Sequence, residues 1–295
     1  MDQSDFISSD NVVEAMNVEV KRVADLFRFL LKYKEQFQAS GIEFSDLRQY
    51  MVTDDASRID WKHSANVPDL YVKEYEEERD MDTFIILDVS DSMLFGTADK
   101  LKAEYAAIMA SALVYASIDA GINSGIGMFG DDSTIILPDG GQVQYRQVLH
   151  EVTKFSNYGG SFDLEDSLKD VIGQIKDNTA LFVISDFLNV GGEWKPSMTV
   201  SSEKFRHVMS VIVRDLRDYK LPPTGYMRFN SPDGRVQKFI NTSKIREEFE
   251  EKAKEQEEEI KSKLNASGTS FLKVDTRKQF SAECASYFDK ESVKW

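Results

Sequence analysis

The chain is predicted to fold as an α/β domain around a doubly wound, mostly parallel sheet with helices on both faces. Three observations carry that prediction. Thr83 to Leu87 is apolar after its first residue and runs into Asp88. Ala180 to Ser185 is a second such run, followed by Asp186, and Val208 to Val213, apolar except at Ser210, reads as a further strand ending at Asp215. Unbroken apolar runs of this length read as strands buried on both faces. Helical patterns separate them, and strands alternating with helices imply a parallel sheet covered on both sides. Residues 1–78 read as a helical and extended N-terminal arm, and 79–295 as the α/β body.

The elements follow in order. Asp10 to about Ala39 has apolar residues at helical spacing (Met16, Val20, Val23, Phe27, Leu30, Leu31), with Gly41 as its stop. Residues 42–78 lack a clear period but are rich in aromatics, which predicts an arm packed on a larger body. The acidic run Glu74 to Asp82 reads as a solvated edge leading into the first buried strand. After Asp88, Thr97 or Asp99 is expected to cap an Ala-rich helix reaching about Ala120, ended by Gly121. Gly125–Phe129 and Ser133–Leu137 read as short strands, Gln142–Phe155 as a helix, and Leu164–Ile175 as another helix opened by the Gly159-Gly160-Ser161 loop. Beyond Asp215, an insertion at about 216–268 is expected. It comprises a hairpin over Tyr226–Ile240 turning at Pro232-Asp233-Gly234, then a charged helix from Ser243 to about Leu264. Phe271–Val274 reads as a last strand and Phe280–Phe288 as a last helix.

Composition narrows the function classes. A net charge of −15 argues against nucleic acid and anionic lipid, which attract basic surfaces. No apolar run approaches the roughly 20 residues of a membrane span, and the start, Met-Asp-Gln-Ser-Asp, lacks the features of a signal peptide. The single cysteine, Cys284, excludes an internal disulfide. A cytoplasmic protein is the expectation. The three histidines, His63, His150 and His207, are too scattered in sequence for a His-rich zinc site.

The chemistry gathers at predicted strand ends, where open α/β sheets bind their ligands. Asp88-x-Ser90-x-Ser92, Ser161 after its glycine pair, and Asp186 supply carboxylates and hydroxyls without His or Cys. Such donors suit a hard cation: Mg²⁺ is the expected ion, with Mn²⁺ or Ca²⁺ as alternatives. Gly159 and Gly160 allow the tight turn that presents Ser161. A strand-to-helix turn with capping side chains is the plainer reading of Asp88, Ser90 and Ser92 by themselves.

At these residues the chain resembles the von Willebrand factor A domain and its metal-ion-dependent adhesion site, whose pattern is Asp-x-Ser-x-Ser, then a distant Thr, then a distant Asp. The resemblance implies Asp88, Ser90, Ser92, Ser161 and Asp186 as metal ligands, with Ser161 standing where threonine is usual. Upstream, Glu43 to Tyr50, Asp54 to Ala65 and Val72-Lys73-Glu74-Tyr75 resemble the stretch preceding this domain in the bacterial and archaeal family called domain of unknown function 58. Ser92-Met93, Phe95-Gly96, Arg214-Asp215 and Leu221-Pro222 continue the match, which runs from about Gly41 to the C-terminus. Thr53 and Asn66 depart from the glycine and arginine usual there. The resemblance implies a metal-dependent protein-binding module, an adaptor or co-chaperone of a MoxR-type AAA+ ATPase, which engages that ATPase or its client through an acidic side chain. Asp54, Asp55, Arg58, Asp60 and Trp61 are expected to form a clasp for the arm.

An enzyme is not expected. A haloacid-dehalogenase-type phosphotransferase needs a second acid two residues after its first, and that position is Ser90. No Gly-x-Ser-x-Gly elbow and no phosphate-binding P-loop occurs. A phosphatase-like metalloenzyme and a scaffold with a degenerate metal site are the alternatives.

Overall fold

A computed structural model describes residues 81–278 except 224 and 231–236, together with 20, 44–51, 59, 63 and 70–75. The predicted helix over 10–39 (apart from Val20), the clasp residues, the hairpin turn at 232–234 and the helix over 280–288 lie outside the described residues.

The chain divides into two compact units, Leu31–Asp80 and the remainder. In the first, β1 (Phe44–Gln49) pairs antiparallel with β2 (Tyr71–Tyr75), with Leu47 opposite Lys73 and Gln49 opposite Tyr71. This pair was not anticipated, because its residues alternate poorly between polar and apolar. Ile59 bridges to Val72, and both are buried.

In the second unit a six-stranded sheet has the order β10-β7-β6-β3-β4-β5. Its strands are β3 (Asp82–Asp88), β4 (Ser124–Phe129), β5 (Ser133–Asp139), β6 (Thr179–Ser185), β7 (His207–Arg214) and β10 (Ser270–Asp275). All neighbours are parallel except β5, which runs antiparallel to β4. The predicted fold class is the one observed. β3 is buried along its whole length, with the apolar run Phe84–Leu87 at its centre and the polar Asp82, Thr83 and Asp88 at its ends. Its alternating side chains feed two cores. Ile85, Leu87 and Val89 pack with residues of α1 (Lys102–Asp119) and α2 (Gly141–Thr153). Phe84 and Ile86 pack with residues of α3 (Leu164–Ile172), α4 (Trp194–Lys204) and α5 (Thr242–Ala266).

Three local differences from the sequence expectation have physical causes. α1 begins at Lys102, not after Thr97 or Asp99. Glu104 reaches back to accept from the Leu101 N–H at 2.8 Å, and Thr97 is committed elsewhere. α3 stops at Ile172, where Gly173 takes the C-cap. α4 was not foreseen, since its sequence is polar and carries Pro196; proline is tolerated in a first helical turn, where its missing N–H costs no helix hydrogen bond. The charged α5 connects the outlying hairpin β8 (Tyr226–Asn230) and β9 (Gln237–Asn241) to β10, and it buries Ile260 and Leu264 in the second core. Its other face carries ion pairs at helical spacing, such as Lys252 to Glu248 and Lys263 to Glu259.

This strand order fixes where a ligand can sit. After β3 the chain adds β4 and β5 on one side, then returns to build β6, β7 and β10 on the other. The crevice at the carboxyl ends of β3 and β6 is the topological switch point, the usual ligand position in such sheets.

Candidate functional site

Asp88 ends β3 in that crevice and is buried. One carboxylate oxygen accepts from the Ser90 N–H at 2.9 Å, and the other accepts from the Ser185 hydroxyl at 2.6 Å. The first bond turns the chain immediately after the strand. As a result Ser90 Oγ and Ser92 Oγ stand 3.1 Å apart, on the same side of the loop. Register pairs Leu87 with Ile184, so Ser185 lies beside Asp88 and Asp186 one residue further along.

Gly159 and Gly160, at φ 131° and 83°, bring a second loop against this one. Gly159 N–H donates to Val89 O at 2.8 Å, Asp91 N–H to Gly160 O at 2.9 Å, and Gly160 N–H to the Asp91 carboxylate at 3.0 Å. Ser161 is thereby carried to the edge of the Asp88–Ser92 loop. Its backbone N–H donates to Asp131 at 3.1 Å, while its side chain is exposed. Among the described residues no hydrogen bond joins the Ser161 hydroxyl to Asp88, Ser90, Ser92 or Asp186.

Asp186 is wholly buried, and an ion pair already holds it. Lys102, the first residue of α1, places Nζ 2.7 Å from one Asp186 oxygen and 3.1 Å from Asp218. The other Asp186 oxygen accepts from Leu188 N–H at 2.9 Å. Between them Phe187 has φ 54°, the left-handed region that an aromatic residue adopts only under constraint. Ser185 Oγ accepts its N–H at 2.9 Å, and its ring packs edge-on against Trp194. Asp215, at the end of β7, receives Thr97 N–H and Oγ, Arg217 N–H and Thr276 Oγ. Loops from β3, β6, β7 and β10 are joined along one rim in this way.

The electrostatics follow from burial. Burial, then repulsion from Asp186, pushes the Asp88 carboxyl up to about 6, against the opposing hydrogen bonds from Ser185 and Ser90. Asp218 is also raised, by burial, although Lys102 opposes the shift. Burial lowers the Arg214 guanidinium, against the attraction of Asp186, Asp218 and Glu257, and among the described residues its Nε has no hydrogen-bond partner.

The donor chemistry can be set against what a hard cation requires. Octahedral Mg²⁺ at 2.0–2.1 Å from its oxygens places adjacent ligands about 2.9 Å apart, close to the Ser90–Ser92 spacing. Asp88, whose oxygens accept from Ser90 N–H and the Ser185 hydroxyl, supplies a buried carboxylate next to them. These three residues fit a divalent ion. Asp186 is brought to the same crevice but already faces an ammonium, and Ser161 arrives through its backbone alone. Among the described residues no three His, Cys, Asp or Glu side chains form a metal cluster. Sequence reasoning missed Lys102, Ser185, Asp215 and Asp218. Lys102 had one signal, a lone cation at the head of an otherwise apolar helix, and Ser185 had its place directly before Asp186.

The strand order and the Asp-x-Ser-x-Ser loop at its switch point define a von Willebrand A-like α/β domain. Residues 46–259 match the family described as protein of unknown function DUF58, and the chain belongs to that family. It is similar to the uncharacterized protein Rv1480 of Mycobacterium tuberculosis, with 24% identity over 248 residues covering 82% of this chain and 77% of the relative. The uncharacterized protein Mb1516 of Mycobacterium bovis matches to the same extent. Among solved structures, the conserved hypothetical protein BatB of Bacteroides thetaiotaomicron is 18% identical, covering 71% of this chain and 99% of that one, with a TM-score of 0.46. An aerotolerance-related membrane protein of Bacteroides fragilis is 17% identical, covering 73% and 100%, also with a TM-score of 0.46. Among the described residues no helix is long and apolar enough to cross a membrane.

Proposed function

We propose that this protein is a metal-ion-dependent protein-binding module. It captures an acidic side chain of a partner at the rim carrying Asp88, Ser90, Ser92, Ser161 and Asp186. The partner proposed is a MoxR-type AAA+ ATPase, or that ATPase's client, during assembly or maturation of protein complexes; this part rests on the family resemblance. The observation that carries the metal reading is the pair of hydroxyl oxygens 3.1 Å apart beside the buried Asp88 carboxylate, at the switch point of the sheet. A divalent cation, Mg²⁺ or Mn²⁺, would supply positive charge that an outside carboxylate completes. Asp88 orients the loop through Ser90 N–H and is itself oriented by Ser185. The glycine loop fixes the outer wall through its bonds to Val89 and Asp91. The role proposed is binding rather than catalysis. Asp91, the acid nearest Asp88 in sequence, is engaged by Gly160 N–H, and Ser90 cannot serve as a general acid–base partner in the manner of a carboxylate.

Calorimetric titration of Mn²⁺ into the wild-type chain and Asp88→Ala, with pull-down of the ATPase in Mg²⁺ or EDTA, tests this reading. Metal binding and capture should both be lost in Asp88→Ala, and EDTA should reproduce the loss of capture. Unchanged capture under both conditions refutes it. A scaffold whose metal site no longer binds is the second reading, favoured by the pairing of Asp186 with Lys102 and by the exposed Ser161. Absence of any Mg²⁺ or Mn²⁺ binding by the wild-type chain would select it.

A further inference from the structure

The buried lysine at the rim is unusual in its position. Lys102 is about 1% exposed, on a helix whose other buried residues are mostly apolar. Its backbone is tied to the site loop, because Lys102 N–H donates to Phe95 O at 3.0 Å and Ala103 N–H to Met93 O at 2.8 Å. Its ammonium has two carboxylates, Asp186 at 2.7 Å and Asp218 at 3.1 Å. A buried charge of this kind persists only when paired. Asp218 in turn accepts Asp215 N–H at 2.7 Å, and Asp215 binds Thr97 in the segment that leads into α1. Lys102 is therefore held from both ends. One of its two partners is also one of the two carboxylates in the candidate metal site.

We propose that Lys102 is a tethered cation that keeps Asp186 neutralised, so that the chain alone holds a divalent ion weakly and an acidic partner is needed to complete the site. The inference rests on the metal-binding reading above and assigns its regulation. With Asp186 paired, the charge left to a divalent ion is that of Asp88, supported by the uncharged Ser90 and Ser92. The bound ion would retain excess positive charge, which favours an outside carboxylate. Linkage makes this reciprocal: partner and metal each raise the affinity for the other. Arg214, a second buried cation whose guanidinium lies within the field of Asp186 and Asp218, acts in the same direction.

The test is calorimetric titration of Mn²⁺ into the full chain, for wild type and Lys102→Met, with thermal melts of each in Mn²⁺ and in EDTA. Lys102→Met should bind Mn²⁺ at least about tenfold more tightly, a small part of what a full charge at ion-pair distance from a ligand carries at an effective dielectric of about 20. Its melting temperature should also depend more strongly on Mn²⁺ than that of the wild type. Lys102→Met/Asp218→Asn removes the second acid as well, so it guards against a fold lost to unpaired carboxylates; it should also bind more tightly than wild type. Equal or weaker binding by a folded Lys102→Met or by the double variant overturns the role of Lys102 and leaves the metal site standing. No Mn²⁺ binding by wild type or either variant overturns the metal reading and this inference together.

Discussion

Gly160→Ala is expected to weaken the rim of the site, and the size of the effect can be worked from the backbone. Gly160 has φ 83°, and a Cβ built there falls 2.0 Å from Asp131 Cγ and 2.1 Å from Asp131 Oδ1. A non-glycine residue held in that region costs about 1–3 kcal/mol. Asp131 must also swing away, breaking its hydrogen bond from Ser161 N–H, which adds about 0.5–1.5 kcal/mol. The sum is roughly 1.5–4.5 kcal/mol, measurable as a shift in the urea midpoint without a change in slope. Gly173→Ala is the control. It sits at the end of α3 with φ −81° and ψ −14°, and nothing lies within 4 Å of its added Cβ. Reduced freedom of the unfolded chain should make that variant neutral or more stable by about 0.4–1 kcal/mol. If Gly160→Ala unfolds at the same urea concentration as Gly173→Ala, the glycine loop is not constrained as described. Ser161 would then not be held at the rim by that loop.

Three further outcomes follow from the same network. Asp215→Ala removes an acceptor from four donors around a buried carboxylate and should cost about 3 kcal/mol or more by chemical denaturation. Burial alone would raise that carboxyl, but the bonds from Arg217 N–H, Thr97 and Thr276 outweigh it and hold it below the usual range. Its stabilising contribution is therefore complete above the unfolded carboxylate value of about 3.9 and fades as pH falls toward the depressed folded value. Denaturation series at pH 7 and pH 3 should show the wild type losing part of its advantage over Asp215→Ala; an undiminished advantage would refute the assignment. Ser185→Ala leaves Asp88 without its 2.6 Å donor and Phe187 N–H without its acceptor. It should destabilise by about 1–3 kcal/mol in guanidinium, and no change would show that water replaces both bonds.

The parts of this fold that were legible in sequence are those where burial acts on consecutive residues. Strands β3, β6 and β7 are covered on both faces, so their central positions are apolar almost without a break: Phe84–Leu87, Ala180–Ile184, and Val208–Val213 apart from Ser210. The elements that escaped are those whose burial is partial. α4 turns only Trp194, Met198 and Ser201 inward, too few contacts to leave a period among its serines and threonines. The helix-capping expectation for Thr97 failed for another reason. Asp215, 118 residues away, binds both its hydroxyl and its backbone N–H, leaving Glu104 to close the start of α1.

The candidate site divides along the same line. Asp88, Ser90 and Ser92 were legible because one short motif at a strand end is enough to bring their oxygens together, and Asp186 because a parallel sheet delivers the ends of neighbouring strands to one edge. The charge balance of that edge was not legible, because it depends on pairs distant in sequence. Lys102 meets Asp186 across 84 positions and Asp218 across 116. Read locally, Lys102 is an ordinary helix-forming residue in a first turn, where a cation gains nothing from the helix dipole. That slightly unfavourable local placement is offset only if the fold supplies carboxylates to meet the ammonium. The motif therefore specifies which atoms could hold a cation, and the long-range ion pair governs how tightly they would hold it.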